Sequence, residues 1–250
     1  MINKEDINIA IVGLGYVGLP LAVEFGKKYN VVGFDLDEKR VSELNNQYDR
    51  TNELPDDELD FLKNIEITAR KENLENSNIF IVTVPTPVDS NNKPNLNPII
   101  SASEIIGSYL KKNDVIIYES TVFPGCTEQI CVPTLEKESS LIYNLDFFCA
   151  YSPERINPGD SKYNLTNITK VVSGSNPPTL DLVSKLYESN IPAGVFKASS
   201  IAVAEAAKVI ENTQRDVNIA LVNELALIFD KLKINTKDVL KAASTKWNFL

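Results

Sequence analysis

The sequence contains no histidine among its 250 residues. Histidine-based acid–base catalysis, a serine–histidine–aspartate triad and a histidine-ligated metal are therefore excluded within this chain. Cysteine is also scarce: Cys126, Cys131 and Cys149 lack metal-ligand spacing, so no metal site is predicted, and their small number suits a reducing compartment. We expect all three to be structural and buried, although Cys126 lies near a helix N-terminus that could lower its pKa.

Long apolar runs and excess positive charge are missing as well. No apolar segment approaches the length of a membrane span, and no signal peptide precedes the first predicted strand, so we expect a cytoplasmic protein without a membrane partner. The net charge of −9 argues against a broad nucleic-acid surface. A hydrophobic content of 43% and a charged content of 24% are typical of a globular protein.

The rest of the chain is organised around a predicted glycine-rich turn. Residues 8–12 form a short β-branched apolar run that is typical of a buried parallel strand, and Gly13, Gly15 and Gly18 follow at G-x-G-x-x-G spacing. Gly13 permits the tight turn, Gly15 lets a pyrophosphate approach the backbone, and Gly18 lets the next helix pack closely on the sheet. The spacing alone is weak evidence for a dinucleotide site, because an ordinary glycine-rich turn would also produce it.

The following residues strengthen the prediction of a dinucleotide site. A helix begins near Tyr16, and its free N–H groups and positive dipole end face the phosphates. A second strand at 31–34 ends in Asp35, about 20 residues past the glycines, where an acid accepts hydrogen bonds from the adenosine ribose and repels a 2′-phosphate. The predicted cofactor is NAD, although Arg40 is near enough to accommodate the extra phosphate of NADP.

Helical and strand-like segments alternate along the chain, which predicts an α/β fold with a doubly wound, mostly parallel Rossmann-type sheet. The predicted strands are 8–12, 31–34, 65–68, 79–84, 115–118, 147–151, 169–172 and 194–196. The predicted helices are 19–28, 37–44, 98–110, a segment after Pro124, 179–189, 202–232 and 235–244.

Polar residues follow two strands at the edge where α/β sheets bind ligands. The strand 79–84 runs into Pro85 and Thr86, and proline cannot extend a central ladder, so the chain must leave the sheet there. Thr86 could donate to a cofactor phosphate or ribose, or it could be a turn hydroxyl. Thr121 follows the strand 115–118 and could face the nicotinamide side of the crevice.

Charged and amide side chains provide candidates for chemistry. Glu154 and Arg155 follow the sixth predicted strand, where they are either reactive groups or a surface salt bridge. Within the long helix 202–232, Lys208 and Asn212 are four residues apart and share a face. They are either a solvated pair or two groups aimed together at developing negative charge.

Five stretches together resemble the nucleotide-sugar 6-dehydrogenases, the UDP-glucose/GDP-mannose dehydrogenase family. They are GLGYVGLPLA at 13–22, VPTP at 84–87, ESTVFPG at 119–125, YSPERINPGD at 151–160 and AEAAKVIENTQRDVNIALVNELA at 204–226. The SPERINPG form looks most like the branch that oxidises UDP-N-acetylhexosamines for O-antigen or capsule. In UDP-glucose enzymes a second glutamate usually stands where this chain has Pro158, so a UDP-glucose 6-dehydrogenase is the alternative.

The resemblance implies a division into an NAD-binding domain, 1–198, and the start of a helical dimerisation domain, 199–250, with a homodimer built on helix 202–232. It implies oxidation of the sugar C6 alcohol to a carboxylate with two NAD, through a cysteine-bound thiohemiacetal and a thioester. The residues implied to hold NAD are Gly13, Gly15, Tyr16, Val17, Gly18, Asp35, Arg40, Pro85, Thr86 and Thr121. The residues implied in catalysis or UDP-sugar binding are Thr121, Glu154, Arg155, Lys208, Asn212 and Arg215.

One departure from the family pattern is large. The family's nucleophile lies in a glycine-histidine-cysteine motif soon after the position where this chain ends, and no such motif is present. By resemblance the C-terminal UDP-sugar-binding domain is absent too, so we expect this chain alone to be inactive. Two other interpretations stay open: a β-hydroxyacid dehydrogenase, which has a similar glycine motif and Lys-x-x-x-Asn pair, and a non-catalytic NAD-binding or dimerising module.

Overall fold

A computed structural model describes residues 6–156 and 165–249, so Pro158 of the SPERINPG stretch lies outside the described residues. Six strands form one sheet in the order β3-β2-β1-β4-β5-β6, and every neighbouring pair is parallel. The strands are β1 (Asn8–Val12), β2 (Asn30–Phe34), β3 (Glu66–Thr68), β4 (Ile79–Val82), β5 (Val115–Tyr118) and β6 (Phe148–Tyr151). This order confirms the predicted doubly wound Rossmann-type sheet.

Helices connect these strands and continue after them. They are α1 (Gly18–Gly26), α2 (Glu38–Asn45), α3 (Asp56–Leu59), α4 (Asn97–Gly107), α5 (Val132–Ser139), α6 (Pro177–Glu188), α7 (Ile201–Leu232) and α8 (Thr236–Ala243). A five-residue π-helical turn, Thr127–Cys131, runs into α5, and two short 3-10 segments, Asp60–Asn64 and Lys71–Leu74, lie between α3 and β4. Asp37 accepts hydrogen bonds from two main-chain N–H groups at the start of α2 and thereby caps it.

Two hydrophobic cores lie on the two faces of the large sheet. Alternate residues of β1 point to opposite faces, so Ile9 and Ile11 enter one core while Ala10 and Val12 enter the other. The central strands are buried on both faces, which explains why their sequences are continuous apolar runs rather than alternating ones.

The last two predicted strands form a separate sheet. β7 (Lys170–Val172) and β8 (Val195–Lys197) pair in parallel with each other and not with the six-stranded sheet. The chain after β7 nevertheless lies against β6, because the N–H groups of Ser173 and Ser175 donate to the carbonyls of Tyr151 and Cys149 at 3.0 and 2.8 Å. Strand propensity could identify β7 and β8 but not the sheet to which they belong.

The described structure divides into two compact units, one up to Lys208 and one from Val209 onward. The first unit holds both sheets and the buried first turns of α7, where Ile201, Ala204 and Glu205 are in the interior. The second unit consists of the rest of α7 and α8, and many of its apolar side chains are exposed. Among residues 6–156 and 165–249, no helix is both long and apolar enough for a membrane span.

Candidate functional site

The strand order reverses between β1 and β4, so the chain leaves neighbouring strands in opposite directions at this point. Open α/β sheets bind ligands in the crevice that such a reversal creates at the carboxyl ends of the strands. Gly13 follows β1 with a φ of +98°, in the region that favours glycine. The hydroxyl of Thr83, just after β4, donates to the Gly13 carbonyl at 2.6 Å and ties the two strand ends together.

Gly15 and Gly18 are needed for different reasons. A Cβ at Gly18 would lie 1.8 Å from the Gly13 carbonyl oxygen, so close packing of α1 on the turn requires this glycine. A Cβ at Gly15 would meet no described protein atom within 4 Å, and its surroundings are open. Internal packing therefore does not explain Gly15, whereas the approach of a ligand to the backbone does.

Asp35 contacts this turn through its side chain. Its Oδ2 accepts from the Leu14 N–H at 2.7 Å, and its Oδ1 accepts from the Asp37 N–H at 2.9 Å. These bonds fix the Asp35 carboxyl group at the end of β2, beside the glycine turn. This is the position from which an acid contacts an adenosine ribose.

Arg40 is buried and contacts the same turn. Its Nε donates to the Leu14 carbonyl at 2.9 Å, and its Nη2 lies 2.8 Å from Oδ1 of Asp49. The structure thus brings Arg40 to the predicted cofactor turn, but its guanidinium supports the main chain of the turn and pairs with Asp49. Sequence analysis missed Asp49, because nothing in the local pattern marks it as the partner of an arginine nine positions earlier.

The residues at the mouth of the crevice suit a dinucleotide. The Oγ1 atom of Thr86 is buried and, within the described part of the chain, has no hydrogen-bond partner. Tyr16 is exposed, Val17 is buried, and the start of α1 has no side-chain cap among the described residues. An unpartnered hydroxyl, an uncapped helix N-terminus and the open space at Gly15 together fit the phosphates and ribose of NAD. Pro85 is exposed at the same edge.

The loop after β5 carries Thr121, which is exposed. This loop is held from α7: the carboxylate of Glu205 accepts from the Gly125 N–H at 2.5 Å and from the Thr127 N–H at 2.9 Å. A buried carboxylate at the start of the π-helical turn is stabilised by the positive end of that helix. Glu205 is a second residue that sequence analysis missed, since its partners lie about 80 positions earlier in the chain.

The loop after β6 carries Glu154, which is almost fully buried. Its Oε2 lies 3.1 Å from Nζ of Lys170, and the same Nζ lies 2.6 Å from Oε2 of Glu119. The hydroxyl of Tyr187 donates to the other oxygen of Glu119. Burial raises the pKa of Glu119 to about 7, the nearby Lys170 opposes this rise, and Glu154 adds to it. Glu154 is therefore part of an internal charge cluster and not of a surface salt bridge.

The start of α7 also contacts this loop, since the ammonium group of Lys208 donates to the main-chain carbonyl of Glu154. Arg155 is half-buried, and its Nη1 donates to the Thr169 carbonyl at 3.0 Å, just before β7. Asn212 and Arg215 belong to the second unit, where both side chains are exposed. Their predicted roles in substrate binding and catalysis stay predictions.

All three cysteines are free and buried, as expected. Burial raises the pKa of Cys149 well above its usual value, and a hydrogen bond to Cys126 together with burial raises that of Cys131. The same contact with Cys131 lowers the pKa of Cys126. The sequence suggested a helix N-terminus as the cause of such a lowering, whereas the structure assigns it to a neighbouring thiol. Within the described ranges, no cluster of three or more potential metal ligands occurs.

Comparison with known families gives two matches that are consecutive along the chain. Residues 7–191 match the NAD binding domain of the UDP-glucose/GDP-mannose dehydrogenase family, and residues 202–249 match the central domain of the same family.

Similar proteins occur in several organisms. The chain is 59% identical to Protein CapL of Staphylococcus aureus, over 97% of this chain and 57% of that protein. It is 58% identical to a UDP-N-acetyl-D-glucosamine 6-dehydrogenase of Pseudomonas aeruginosa, over 98% of this chain and 58% of the relative. A solved UDP-D-ManNAc dehydrogenase from Pyrococcus horikoshii superposes with a TM-score of 0.90 at 32% identity, over 97% of this chain and 59% of that structure. The chain thus spans less than two thirds of the length of each relative.

Proposed function

We propose a function from the family of this chain, since it belongs to the UDP-glucose/GDP-mannose dehydrogenase family and contains the NAD binding domain of that family. The proposed function is to form the NAD-binding part of an enzyme that oxidises the C6 alcohol of a UDP-N-acetylhexosamine to the uronate. The identity of 58% to a UDP-N-acetyl-D-glucosamine 6-dehydrogenase favours an N-acetylated sugar over UDP-glucose. The family match disfavours a β-hydroxyacid dehydrogenase. We propose a biosynthetic role in surface polysaccharide and a cytoplasmic location.

The observation that carries the proposal is the convergence of charged groups on the carboxyl edge of the large sheet. The glycine turn with Asp35 lies at the strand reversal, and the loop with Glu154 follows β6 at the same edge of the parallel sheet. The ammonium of Lys208 reaches the second of these loops. A cationic donor beside a dinucleotide crevice is what oxidation of an alcohol requires, because negative charge develops on the oxygen that loses its proton.

In this proposal, NAD would supply the hydride acceptor. The chain's own residues bind the cofactor and polarise the alcohol that is oxidised. Asp35 orients the adenosine ribose, while Thr86 and the N–H groups at the start of α1 hold ribose and phosphate. Thr121 faces the nicotinamide side. Lys208 stabilises the developing alkoxide, and the helical spacing that puts Asn212 one turn later supports the same task for its amide.

We further propose that this chain alone does not complete the oxidation to the acid. The second oxidation needs a covalent thiohemiacetal, and a thiolate must therefore reach the sugar C6. Cys126, Cys131 and Cys149 are buried, and the pKa values of the last two are raised, which disfavours their thiolates. The alternative of an NAD-binding or dimerising module describes how we expect the isolated chain to behave.

The test is to incubate the 250-residue chain with NAD and UDP-N-acetylglucosamine and to search for uronate by mass spectrometry, with calorimetry for NAD binding. The proposal predicts NAD binding without sustained turnover, and turnover in a fusion that supplies the remaining part of the Pseudomonas relative. Failure of the fusion to oxidise any UDP-N-acetylhexosamine would contradict the assigned substrate class. Sustained turnover by the chain alone would contradict the assignment of the cysteines, and Cys126→Ala would then show whether Cys126 is the nucleophile.

The second unit supports a further part of the proposal, a homodimer through α7. Side chains of α7 and α8 line an apolar groove of about 690 Å³ that includes Leu221, Val222, Leu225, Leu240 and Phe249. Apolar side chains left exposed along a groove often mark an interaction site. A two-fold pairing of α7 with a second copy would cover it, because the same patch then serves both partners.

Sedimentation velocity of the chain and of Leu221→Glu tests the dimer. We expect a concentration-dependent dimer that the glutamate abolishes, since a charge would be buried at the interface. Lys63→Glu changes the charge of an exposed residue in the first unit and serves as the control. A monomer at all concentrations would contradict α7 as a sufficient interface.

A further inference from the structure

Lys170 is a buried cation that the proposed function does not use. It is the first residue of β7 and only 4% exposed. Its Nζ bridges two carboxylates that end neighbouring strands of the other sheet, Glu119 after β5 and Glu154 after β6, at 2.6 and 3.1 Å. A buried ammonium that spans two sheets in this way fixes the relative positions of the loops that follow β5 and β6.

The Glu154 side chain is held on both of its oxygens. Oε1 accepts from the main-chain N–H groups of Arg155 and Ile156, each at 2.5 Å, and Oε2 receives Lys170. The Glu154 carboxylate thus clamps the backbone of its own loop by binding the N–H groups of Arg155 and Ile156. Charge-assisted bonds of this kind are the stronger class of hydrogen bond, so the loop conformation depends on them.

The clamped backbone is the one that Lys208 contacts. The ammonium of Lys208 donates to the Glu154 main-chain carbonyl, on the same residue whose side chain is held by Lys170. The direction of that carbonyl is set by the peptide between Glu154 and Arg155, whose N–H is bound by the Glu154 carboxylate. A continuous series of contacts therefore runs from Lys170 through Glu154 to Lys208.

The charges of the cluster explain why Lys170 is needed. Burial would lower the pKa of Lys170, but the adjacent Glu119 and Glu154 raise it, so the ammonium stays protonated. Without this cation, the two acidic side chains would face each other in the interior beside the Tyr187 hydroxyl with no positive charge between them. Glu154 would then lose the charged partner of its Oε2, and desolvation would favour movement of its side chain out of the clamp.

We propose that Lys170 is a positioning residue of the candidate site, which sets the orientation of Lys208 by holding the Glu154 carboxylate against its own loop. The proposal deepens the proposed function and rests on it, since Lys208 matters only if it serves the reaction. In this role Lys170 acts through Glu154 and not by contact with substrate or cofactor. The buried ammonium of Lys170 thereby fixes the direction in which the ammonium of Lys208 points.

The experiment measures the reactivity of the Lys208 amine in the 250-residue chain, so it needs neither substrate nor turnover. The chain is pulsed with an amine-acetylating reagent, and labelling of Lys208 is quantified by mass spectrometry relative to the exposed Lys137. In the unmodified chain we expect Lys208 to be protected by its contact with the Glu154 carbonyl. Lys170→Met should raise the relative labelling by roughly tenfold, the change expected from loss of one charged hydrogen bond.

Three further variants separate positioning from general loss of stability. Lys170→Arg keeps a cation between the carboxylates and should restore most of the protection. Glu154→Gln removes the charge that Lys170 holds and should raise Lys208 labelling even if Lys170→Met does not fold. Asp114→Asn alters another buried carboxylate, at the amino end of β5 and so at the opposite edge of the sheet, and should leave Lys208 labelling unchanged.

Unchanged Lys208 labelling in folded Lys170→Met or Glu154→Gln would overturn the proposal, and so would an equal rise in Asp114→Asn. The result is independent of the enzymatic assignment. If labelling responds as expected but the fusion enzyme oxidises no UDP-sugar, the positioning stands and the proposed function fails. If the fusion is active and labelling does not respond, only the positioning role is wrong.

Discussion

The Leu14 N–H donates to Oδ2 of Asp35 across 2.7 Å, and the Leu14 carbonyl accepts from Nε of Arg40 across 2.9 Å. One peptide unit on each side of Leu14 is therefore held by a charged side chain, an acid on one side and a buried base on the other. These two bonds hold the glycine turn of the candidate cofactor site in its observed conformation. Rigidity before binding reduces the entropy that the ligand must overcome.

The first prediction concerns cofactor choice. We expect the chain to bind NAD more tightly than NADP, because the Asp35 carboxylate repels a 2′-phosphate. Asp35→Ala should weaken NAD binding by roughly tenfold to a hundredfold, the range for loss of a charged hydrogen bond of about 1.5–3 kcal/mol, and should reduce the preference for NAD. Calorimetric titration with both cofactors measures this, with Asp60→Ala, an exposed acid, as the control. Equal or tighter NADP binding by the unmodified chain would contradict the role of Asp35.

The second prediction uses two glycines whose surroundings differ. Gly15→Ala should leave the free energy of unfolding within about 0.5 kcal/mol of the original, because its Cβ meets open space. It should still weaken NAD binding at least about tenfold, since the methyl group occupies the space of the pyrophosphate. Gly18→Ala should instead destabilise the fold by roughly 3 kcal/mol or more, since its Cβ would overlap the Gly13 carbonyl.

Urea unfolding of the two variants, followed by NAD titration of each, separates the two effects. A Gly15→Ala protein that binds NAD as well as the original would show that this position does not approach a ligand. A stable Gly18→Ala protein would show that α1 can move away from the turn without cost.

The third prediction concerns the buried pair of Arg40 and Asp49. Asp49→Ala should destabilise the protein by about 3–5 kcal/mol, because it leaves an uncompensated buried guanidinium. Burial alone would raise the pKa of Asp49, but hydrogen bonds from Thr51 and Arg40 lower it overall. The stabilisation from Asp49 is therefore present above its unfolded pKa of about 4 and is lost as the pH falls through the lower folded value.

Urea unfolding at a series of pH values measures this contribution, with the exposed Asp60→Ala as the comparison. The difference between Asp49→Ala and the original chain should shrink in acid. We also expect Asp49→Ala to weaken NAD binding, since Arg40 supports the glycine turn. A difference that stays constant down to acidic pH would contradict the ion pair as its source.

The fourth prediction is a pH dependence of opposite sign. Burial raises the pKa of Asp114 to about 7, and a hydrogen bond from the Lys111 N–H opposes this only in part. Between its unfolded pKa of about 4 and this value, the folded state binds more protons than the unfolded state, so stability falls as the pH rises and levels off above about 7. Asp114→Asn should remove this part of the slope, because the amide does not titrate.

The free energy of unfolding of both proteins is measured from about pH 4 to pH 8. Relative to Asp114→Asn, the original chain should lose stability on the order of a few kcal/mol between pH 4 and neutral pH. Glu119 has a similarly raised pKa, so the Asp114→Asn protein should keep a smaller slope of the same sign. Parallel pH profiles for the two proteins would show that Asp114 stays ionised in the folded state.

The local pattern of the sequence was sufficient for much of the fold. The apolar run of β1, the glycine spacing and the acid at position 35 predicted the turn, because each depends on neighbours within one βαβ unit. The long helix was predicted from 202 to 232 and observed as Ile201–Leu232, since its composition favours a helix at nearly every position. The placement of β7 and β8 in a separate sheet was not predictable, because strand propensity does not encode a partner.

Of the candidate site, the sequence determined which groups lie at the carboxyl ends of strands, because chain direction and strand position follow from local periodicity. Only the tertiary structure decided how those groups are held. Lys170 lies 51 positions after Glu119 and 16 after Glu154, and Glu205 lies 80 positions after Gly125. A buried charge is stable only beside a specific partner, and that partner is brought into contact by the packing of whole elements rather than by any spacing along the chain.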